Sequence, residues 1–395
     1  MTNLNPYRPG AGKMPPVLAG RQELLQPVFE DMMRIEEEGT SDQPYVFWGL
    51  RGLGKTVFLN EIAQQALKRN WLVVKVEARS DDYLIKQLVQ ELAITLKRYQ
   101  PVDGQVASAL KRALRVLKSF QLRFDPTGVL AVNLNLDSEE GYADSGDENR
   151  DFQDALEAVG IVARELGVGA LIAVDELQEA GMQNLKTLNV SLHEIGQAIE
   201  PLPVVFIGAG LPTLPSTLAK ANSYAERMYK FSEIDLLDDA AVTTALREPA
   251  QERGVIWSEA ALKTVVTFSK GYPYYVQQCG RCIWDVRDAE DAISEQDADL
   301  GMMQARIKVD QGLYRARWGR VTPVGREMMI AMARLGGEAA ISDVVVEMGR
   351  ESQSDVSNIR DRLINDGQIY SPARGMVAFT VPGMDEYILR NELSE

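Results

Sequence analysis

At residues 49–56 the chain reads Gly49-Leu50-Arg51-Gly52-Leu53-Gly54-Lys55-Thr56. This stretch matches the phosphate-binding pattern G-x-x-x-x-G-K-[ST] at every fixed position. The apolar run Tyr45–Trp48 precedes it, and helical periodicity begins at Val57. Glycines let backbone N–H groups curl around a polyphosphate, and the helix that follows directs its positive N-terminal end at the same anion. The stretch therefore predicts a strand, a phosphate-binding loop and a helix; the alternative is a chance glycine-rich turn.

The loop carries the expected contacts to ATP and Mg²⁺. Lys55 would reach the β- and γ-phosphates, and the Thr56 hydroxyl would ligate Mg²⁺. The backbone from Gly49 to Thr56, together with Val57 at the start of the helix, supplies the other candidate nucleotide contacts.

An acidic pair further along the chain is typical of the second half of an ATPase site. The apolar run Ala170–Val174 ends in Asp175-Glu176. Asp175 can hold Mg²⁺ opposite Thr56, and Glu176 can polarise the attacking water as a general base. Such a run is common by itself, but together with the phosphate loop it predicts an enzyme that hydrolyses ATP, with Lys55 and Glu176 as catalytic residues.

Composition limits the class of protein. With 395 residues, two or three domains are expected, and 45% apolar with 25% charged residues is typical of a soluble globular protein. No apolar run approaches the roughly 20 residues that span a bilayer, and the polar N-terminal stretch lacks a signal peptide's apolar segment, so we expect a cytoplasmic protein with no membrane partner. The net charge of −15 means that contact with nucleic acid requires local basic patches.

Histidine and cysteine chemistry is disfavoured. The single histidine, His193, lies in a stretch of helical periodicity and is expected to be structural. Cys279 and Cys282 form a Cys-Gly-Arg-Cys pair, a pattern of redox or half-zinc sites. No second pair accompanies them, and they fall inside the predicted helix Tyr275–Val286, which favours buried thiols.

The order of apolar runs predicts the fold class. Runs of four to six apolar residues alternate with helical patterns, which is typical of an α/β fold with a parallel sheet sandwiched by helices. The section from 100 to 150 has the character of an insertion. It contains a basic amphipathic helix (Ala107–Phe120), a predicted hairpin (Leu122–Phe124 with Val129–Leu136) and an acidic stretch, Asp137–Asp151, expected to be a mobile loop.

We predict four parts. Residues 1–16 form an extended N-terminal arm, 17–235 a P-loop ATPase domain with the insertion at about 100–150, 236–310 a helical lid domain, and 311–395 a winged helix-turn-helix. The last assignment rests on three predicted helices (323–335, 341–349 and 354–366) followed by a two-stranded hairpin.

The chain resembles AAA+/STAND-type P-loop ATPases with an origin-recognition-like ATPase domain and a C-terminal winged helix. The resemblance spans nearly the whole chain and is carried by Leu18–Leu24, by Gly49–Thr56 (Walker A), by Val174–Gln178 (Walker B), by Phe206–Pro212, by Ser223–Arg227 and by Gly271–Tyr275.

This resemblance implies further site residues. Gly20 and Arg21 would lie near the adenine. Arg227 would be an arginine finger that acts on the γ-phosphate of a neighbouring subunit's ATP; the alternative is a surface arginine paired with Glu226 or Glu233.

The chain departs from the family's pattern in two places. The sensor-one position holds Gly208-Ala209-Gly210 instead of a polar residue. The sensor-two region reads Gly271-Tyr272-Pro273, and the nearest arginine is Arg281. Both departures favour a slow switch over fast mechanical turnover.

The winged helix invites a DNA-binding interpretation. Ser352–Arg360 would be the recognition segment, with Arg374 at the wing tip. Residues 321–395, however, carry seven arginines, no lysine and twelve acidic residues, a net charge of 7 − 12 = −5. Protein docking or autoinhibition is therefore an open alternative.

Two basic patches lie outside this segment. Each could form a groove that follows nucleic-acid phosphates, or could simply be a solvated charged face. They consist of Lys111, Arg112, Arg115 and Lys118, and of Arg315, Arg317 and Arg320.

Three functional hypotheses follow. The first is an ATP-binding, Mg²⁺-dependent ATPase that acts as a nucleotide-controlled conformational or oligomerisation switch, with ATP/ADP and other copies of itself as partners. The second is an ATP-regulated DNA-binding initiator, transposition helper or regulator that uses the winged helix. The third is a slowly hydrolysing signalling or defence scaffold.

Overall fold

The computed structural model describes residues 4–79, 83–99, 104–124 and 137–392. The chain divides into two compact units. One, here called the sheet unit, consists of Arg21–Gly49 and Lys55–Ile234. The other, the helical unit, consists of Met1–Gly20, Leu50–Gly54 and Asp235–Glu395.

A five-stranded parallel sheet forms the centre of the sheet unit, in the order β2-β3-β4-β1-β5. Its strands are β1 (Tyr45–Trp48), β2 (Leu72–Glu77), β3 (Ala170–Asp175), β4 (Val204–Gly210) and β5 (Lys230–Glu233). β3 and β4 are buried along their whole length, which explains their uninterrupted apolar sequences. The predicted α/β fold with a parallel sheet is confirmed.

Helices flank this sheet and supply the crossovers that parallel strands need. They are α1 (Gln22–Glu38), α2 (Lys55–Lys68), α3 (Leu84–Lys97), α4 (Gly104–Phe124), α5 (Glu148–Leu166), α6 (Met182–Gly196), α7 (Leu214–Ala221) and α8 (Ala225–Met228). A short 3₁₀ turn, Leu177–Glu179, follows β3. The apolar faces of α3, α4, α5 and α6 share one core with the sheet.

The insertion differs from its prediction. The strand predicted over Leu122–Phe124 is wrong, because α4 continues through these residues on the helical spacing of its buried side chains, among them Leu110, Leu117 and Phe120. The second predicted strand, Val129–Leu136, lies outside the described residues.

The acidic stretch is also partly misassigned. α5 begins at Glu148, so the prediction of a loop over the whole of Asp137–Asp151 is wrong at its end. Asp147 caps this helix by accepting a hydrogen bond from the N–H of Asn149. The buried Asp151 carboxylate accepts hydrogen bonds from the backbone N–H groups of Ser145 (2.9 Å) and Gly146 (2.9 Å). These bonds fix the turn that leads into α5.

The N-terminal half of the helical unit is mostly α-helical. Its helices are α9 (Asp239–Gln251), α10 (Glu259–Ser269), α11 (Pro273–Val286) and α12 (Glu295–Val309), and a two-stranded parallel pair joins β6 (Ile256–Trp257) to β7 (Ala292–Ile293). Side-chain caps at Asp238, Ser258 and Ser294 fix the starts of three of these helices.

Residues 4–20 form no helix or strand, yet one of them is part of this unit's core. Tyr7 is 1% exposed, and its ring packs edge-on against Trp257 and Trp284. Its hydroxyl donates to the carbonyl oxygen of Leu246 and accepts from Nε1 of Trp257 at 2.9 Å. A Cβ at Gly280 would lie 2.6 Å from the Tyr7 ring, so the glycine makes room for it.

After a five-residue π-helical turn, Asp310–Tyr314, and the short α13 (Arg315–Trp318), the C-terminal part begins. Its elements are α14 (Pro323–Arg334), β8 (Glu338–Ala340), α15 (Ile341–Glu347), α16 (Ser354–Asn365), β9 (Ile369–Tyr370), β10 (Met376–Phe379) and α17 (Met384–Glu392). The strands form an antiparallel sheet in the order β8-β10-β9. The three predicted helices and the hairpin are present, whereas β8 and α17 were not predicted. The assignment as a winged helix and the four-part division of the chain remain predictions.

Within the described ranges, no helix is both long and apolar enough to cross a bilayer.

The buried cysteines give a prediction about reactivity. Cys279 and Cys282 are both 0% exposed on α11, and burial raises the pKa of the Cys279 thiol well above its usual range. Because the thiolate is the reactive form, we expect the native protein to resist a disulfide-exchange reagent such as DTNB at about pH 8. Both thiols should react with DTNB once guanidinium unfolds the chain. Rapid stoichiometric labelling of the native protein would contradict this expectation.

Candidate nucleotide-binding site

The base of the phosphate-binding loop is fixed to the sheet. The N–H of Gly49 donates to the carbonyl oxygen of Gly210 at 3.1 Å, which holds the end of β1 beside the end of β4. Lys55 is the first residue of α2 and is 5% exposed. Its ammonium group donates to the carbonyl oxygen of Gly49 at 2.9 Å, so the lysine side chain folds back over the start of the loop.

Thr56 and Asp175, predicted on either side of a Mg²⁺ ion, lie together in the sheet unit. The Thr56 hydroxyl donates to Oδ2 of Asp175 at 2.6 Å, and Oδ1 of Asp175 accepts from the N–H of Glu176 at 3.0 Å. Asp175 is 5% exposed. A hydroxyl and a carboxylate are the oxygen ligands that Mg²⁺ prefers, so this pair is chemically suited to hold the ion. Val57 lies in the same first turn of α2.

Glu176 leaves β3 in an unusual backbone conformation. Its φ of 49° and ψ of 39° are left-handed values, which are uncommon for a residue other than glycine. Its carboxylate oxygen Oε2 accepts a hydrogen bond of 2.6 Å from Nε2 of Gln178. The carboxylate is therefore held by a residue of the 3₁₀ turn.

Sequence reasoning assigns no functional role to Gln178, although it stands within the Walker B stretch. Its other amide atom, Oε1, accepts from the N–H of Leu211, the residue after β4, at 3.0 Å. A single side chain thus connects Glu176 to the end of the neighbouring strand. The only signal in the sequence was its position two residues after Glu176.

The same turn explains the glycines at the end of β4. A Cβ at Gly208 would lie 2.6 Å from Cδ2 of Leu177, and a Cβ at Gly210 would lie 2.4 Å from Oε1 of Gln178. Neither glycine has a positive φ, so space and not backbone conformation accounts for them. The Gln178 amide therefore lies against the end of β4.

The apex of the loop, Leu50–Gly54, belongs to the helical unit. The Tyr272 hydroxyl donates to the carbonyl oxygen of Arg51 at 3.2 Å, and the N–H of Arg51 donates to the carbonyl oxygen of Thr380 at 3.2 Å. Burial raises the pKa of Tyr272 well above its usual range, which keeps the phenol neutral and able to donate. The tyrosine of Gly271-Tyr272-Pro273 is therefore a neighbour of the loop apex.

The residues expected near the adenine are consecutive in the chain. Gly20 has a φ of 67°, and a Cβ there would lie 2.6 Å from the side chain of Ala241 in α9. Arg21 is 6% exposed and directly precedes α1.

Arg227 lies at an exposed position on α8. Its carbonyl oxygen accepts a hydrogen bond of 2.9 Å from the side chain of Gln43. It borders a cleft of about 360 Å³ that His193 and Tyr224 also line, with their rings stacked 4.5 Å apart. The described residues lining this cleft include none of the phosphate-binding loop.

Comparison with known proteins gives the following matches. Residues 311–388 match the model of a domain of unknown function, DUF8462. A search of curated proteins found no match.

Among solved structures, the Walker-type ATPase PABY2304 of Pyrococcus abyssi is similar with 15% identity and a TM-score of 0.59, covering 94% of this chain and 96% of that one. The ORC2 protein of Aeropyrum pernix is similar in two states. The structure of its ADPNP–ADP complexes has 12% sequence identity and a TM-score of 0.55, and the match covers 98% of both chains. The structure of its ADP form has 13% identity and a TM-score of 0.53, and the match covers 97% of both chains.

These likenesses, together with the sheet order and the loop that follows β1, define the class of fold. The chain has the fold of origin-recognition-like AAA+ P-loop ATPases over nearly its whole length. The resemblance in fold inferred from the sequence is confirmed.

The contact between Gly52 and Tyr272 generates a prediction. Gly52 has a φ of 80°, and a Cβ there would lie 2.0 Å from the Tyr272 hydroxyl oxygen. Gly52→Ala should therefore lower Tm, through about 1–3 kcal/mol of backbone strain and an added steric clash. Gly54→Ala is the matched control, because Gly54 has a φ of 93° but open space around its missing Cβ. Equal losses of Tm in the two variants would show that the Tyr272 contact is unimportant.

Proposed function

We propose that the chain is a Mg²⁺-dependent ATPase that acts as a nucleotide-controlled switch of conformation or self-association. The observation that carries this proposal is the 2.6 Å contact between the Thr56 hydroxyl and the Asp175 carboxylate, beside a loop with the complete phosphate-binding pattern. In a parallel sheet the carboxyl ends of neighbouring strands meet at one edge, which is where such folds bind ligands.

The proposed roles follow from the chemistry of each group. The backbone N–H groups of the loop and the Lys55 ammonium would bind the β- and γ-phosphates. Thr56 and Asp175 would hold Mg²⁺, which neutralises charge on the phosphates when bound. Glu176 would orient the attacking water and accept its proton. Gly20 and Arg21 would border the adenine.

Contacts at the loop apex support the switching part of the proposal. The backbone of Arg51 is hydrogen-bonded through its carbonyl to Tyr272 and through its N–H to Thr380. A loop that wraps around phosphates must set its backbone N–H groups toward them. Any change in the apex on nucleotide binding would therefore alter bonds to α11 and to the segment after β10. A change of this kind is how nucleotide-dependent switches transmit occupancy.

Variants of two loop and strand residues test the proposed enzyme. We expect Lys55→Ala to abolish ATP binding in a calorimetric titration, because the phosphate charge is then uncompensated. Glu176→Gln should bind ATP with Mg²⁺ but release phosphate about 10²–10⁴-fold more slowly. Lys68→Ala, at the exposed end of the same helix α2, is the matched control and should behave as the wild type. Normal turnover in Glu176→Gln would overturn the general-base assignment.

A DNA-binding regulator is the second candidate, favoured by one feature of the C-terminal part. Gln353 precedes α16, Asn358 lies on it, Arg374 lies in the β9–β10 turn, and all three are exposed. The charges weigh against it. Arg360 is hydrogen-bonded to Asp361 at 2.8 Å, and Arg115 of the inserted helix is paired with Glu139 at 3.1 Å. These pairs reduce the positive charge that phosphate binding needs.

Sizing the protein with ADP, with a non-hydrolysable ATP analogue, and with each plus duplex DNA separates the hypotheses. We expect the analogue to change the sedimentation coefficient relative to ADP. Salt-sensitive DNA binding that requires ATP and is lost in Arg374→Ala would select the DNA-binding regulator. Assembly with nucleotide but no DNA affinity would select a switch or scaffold. Identical sedimentation in both nucleotides would contradict the switch.

The same measurement bears on Arg227. If Arg227 acts on a neighbouring subunit's ATP, Arg227→Ala should reduce turnover only at protein concentrations at which the chain assembles. Unchanged turnover at every concentration would exclude the finger role.

A further inference from the structure

We infer that Gln178 is a positioning residue for the reaction proposed above, which holds the Glu176 carboxylate in place from the end of β4. This inference rests on the proposed ATPase function and deepens it. It assigns a polar residue to the end of β4, where this chain has Gly208-Ala209-Gly210 instead of the polar side chain of the family.

The backbone of Glu176 creates the need for such a residue. Glu176 is the first residue beyond β3 and has left-handed backbone angles, so its side chain does not continue the alternation of the strand. A glutamate side chain has three rotatable bonds, and an unheld carboxylate would sample several positions. The 2.6 Å hydrogen bond from Nε2 of Gln178 restricts it to one.

The opposite end of the Gln178 amide is anchored as well. Its Oε1 accepts from the N–H of Leu211 at 3.0 Å, and that N–H is the first beyond β4. A carboxamide donates and accepts at the same time, which neither a carboxylate nor an ammonium group can do. Gln178 therefore fixes the position of the Glu176 carboxylate relative to β4, the strand that lies between β3 and β1 in the sheet.

The end of β4 is shaped for this bridge. A Cβ at Gly210 would lie 2.4 Å from Oε1 of Gln178, which is closer than van der Waals contact permits. The glycine therefore keeps open the space that the amide occupies.

The bridge predicts an effect on turnover that is separate from nucleotide binding. The hydrogen bonds of Gln178 join it to Glu176, Glu179 and Leu211, none of which lies in the phosphate-binding loop. Loss of the bond to Glu176 should therefore reduce kcat and leave KM for ATP unchanged. A displaced catalytic group costs about tenfold to a hundredfold in rate.

Gln178→Glu tests this inference, because a carboxylate still accepts from the N–H of Leu211 but cannot donate to Glu176 when ionised at about pH 8. We expect kcat to fall about tenfold to a hundredfold with KM and ATP affinity unchanged, because repulsion between the adjacent carboxylates displaces Glu176. Gln153→Glu is the matched control: Gln153 also donates to a glutamate, Glu157, at 2.8 Å, but on α5. An unchanged or increased kcat in Gln178→Glu, or a change in KM alone, would overturn the inference.

Gly210→Ala reaches the same bridge from the other side. The added methyl group should displace Oε1 of Gln178 and lower kcat, and the double variant with Gln178→Glu should be no slower than the slower single variant. Gly196→Ala, where the missing Cβ has open space, controls for the substitution itself. Multiplicative effects of the two changes would contradict a shared bridge.

Parallel assays of wild type and Glu176→Gln distinguish failure of the proposed hydrolysis from failure of the proposed role of Gln178. If wild type binds ATP and releases no phosphate, the proposed hydrolysis fails and the inference with it. If wild type turns over and Glu176→Gln does not, an unaffected Gln178→Glu defeats the inference alone.

Discussion

The hydrogen bond between the Thr56 hydroxyl and the Asp175 carboxylate joins elements that are far apart in the chain and depends on the order of the sheet. Asp175 ends β3, Thr56 is the second residue of the helix after β1, and β4 lies between the two strands. Parallel pairing brings all three carboxyl ends to one edge, and the buried apolar faces of β3 and β4 fix that pairing against the surrounding helices. Thr56 and Asp175 are therefore neighbours because of the sheet and not because of any local sequence signal.

Much of this arrangement was predictable because buried parallel strands have a strong sequence signature. The bounds of β1 and the position of Asp175 follow from short apolar runs ending in polar residues. The errors arise where the local pattern is weak. The sequence wrongly predicts a strand at Leu122–Phe124, because three residues cannot reveal a period. The Glu-Ala-Ala sequence of β8 has little strand propensity, and its strand conformation depends on pairing with β10.

The roles of side chains in the site were harder to predict than the fold, since they depend on contacts between residues distant in sequence. The sequence predicts the absence of a polar sensor at Gly208–Gly210 but not the reason for the glycines, which is the space that Leu177 and Gln178 occupy. The bond from Leu211 to Gln178 spans 33 positions and leaves no trace in local periodicity. The contact of Tyr272 with the loop apex spans 221 positions and likewise cannot be predicted from the local sequence pattern.

The burial of Tyr7 has a consequence for the order in which the molecule can be built. Its hydrogen-bond partner Leu246 comes 239 positions later, and Trp257 and Trp284 come later still. Chains are synthesised from the N-terminus, so the ribosome completes the sheet unit before the core that receives Tyr7 exists. Tyr7 therefore cannot reach its native partners until the chain has been extended through Trp284. The contacts of Tyr7 are therefore among the most non-local in the helical unit, and forming them carries the entropy cost of closing a loop of that length.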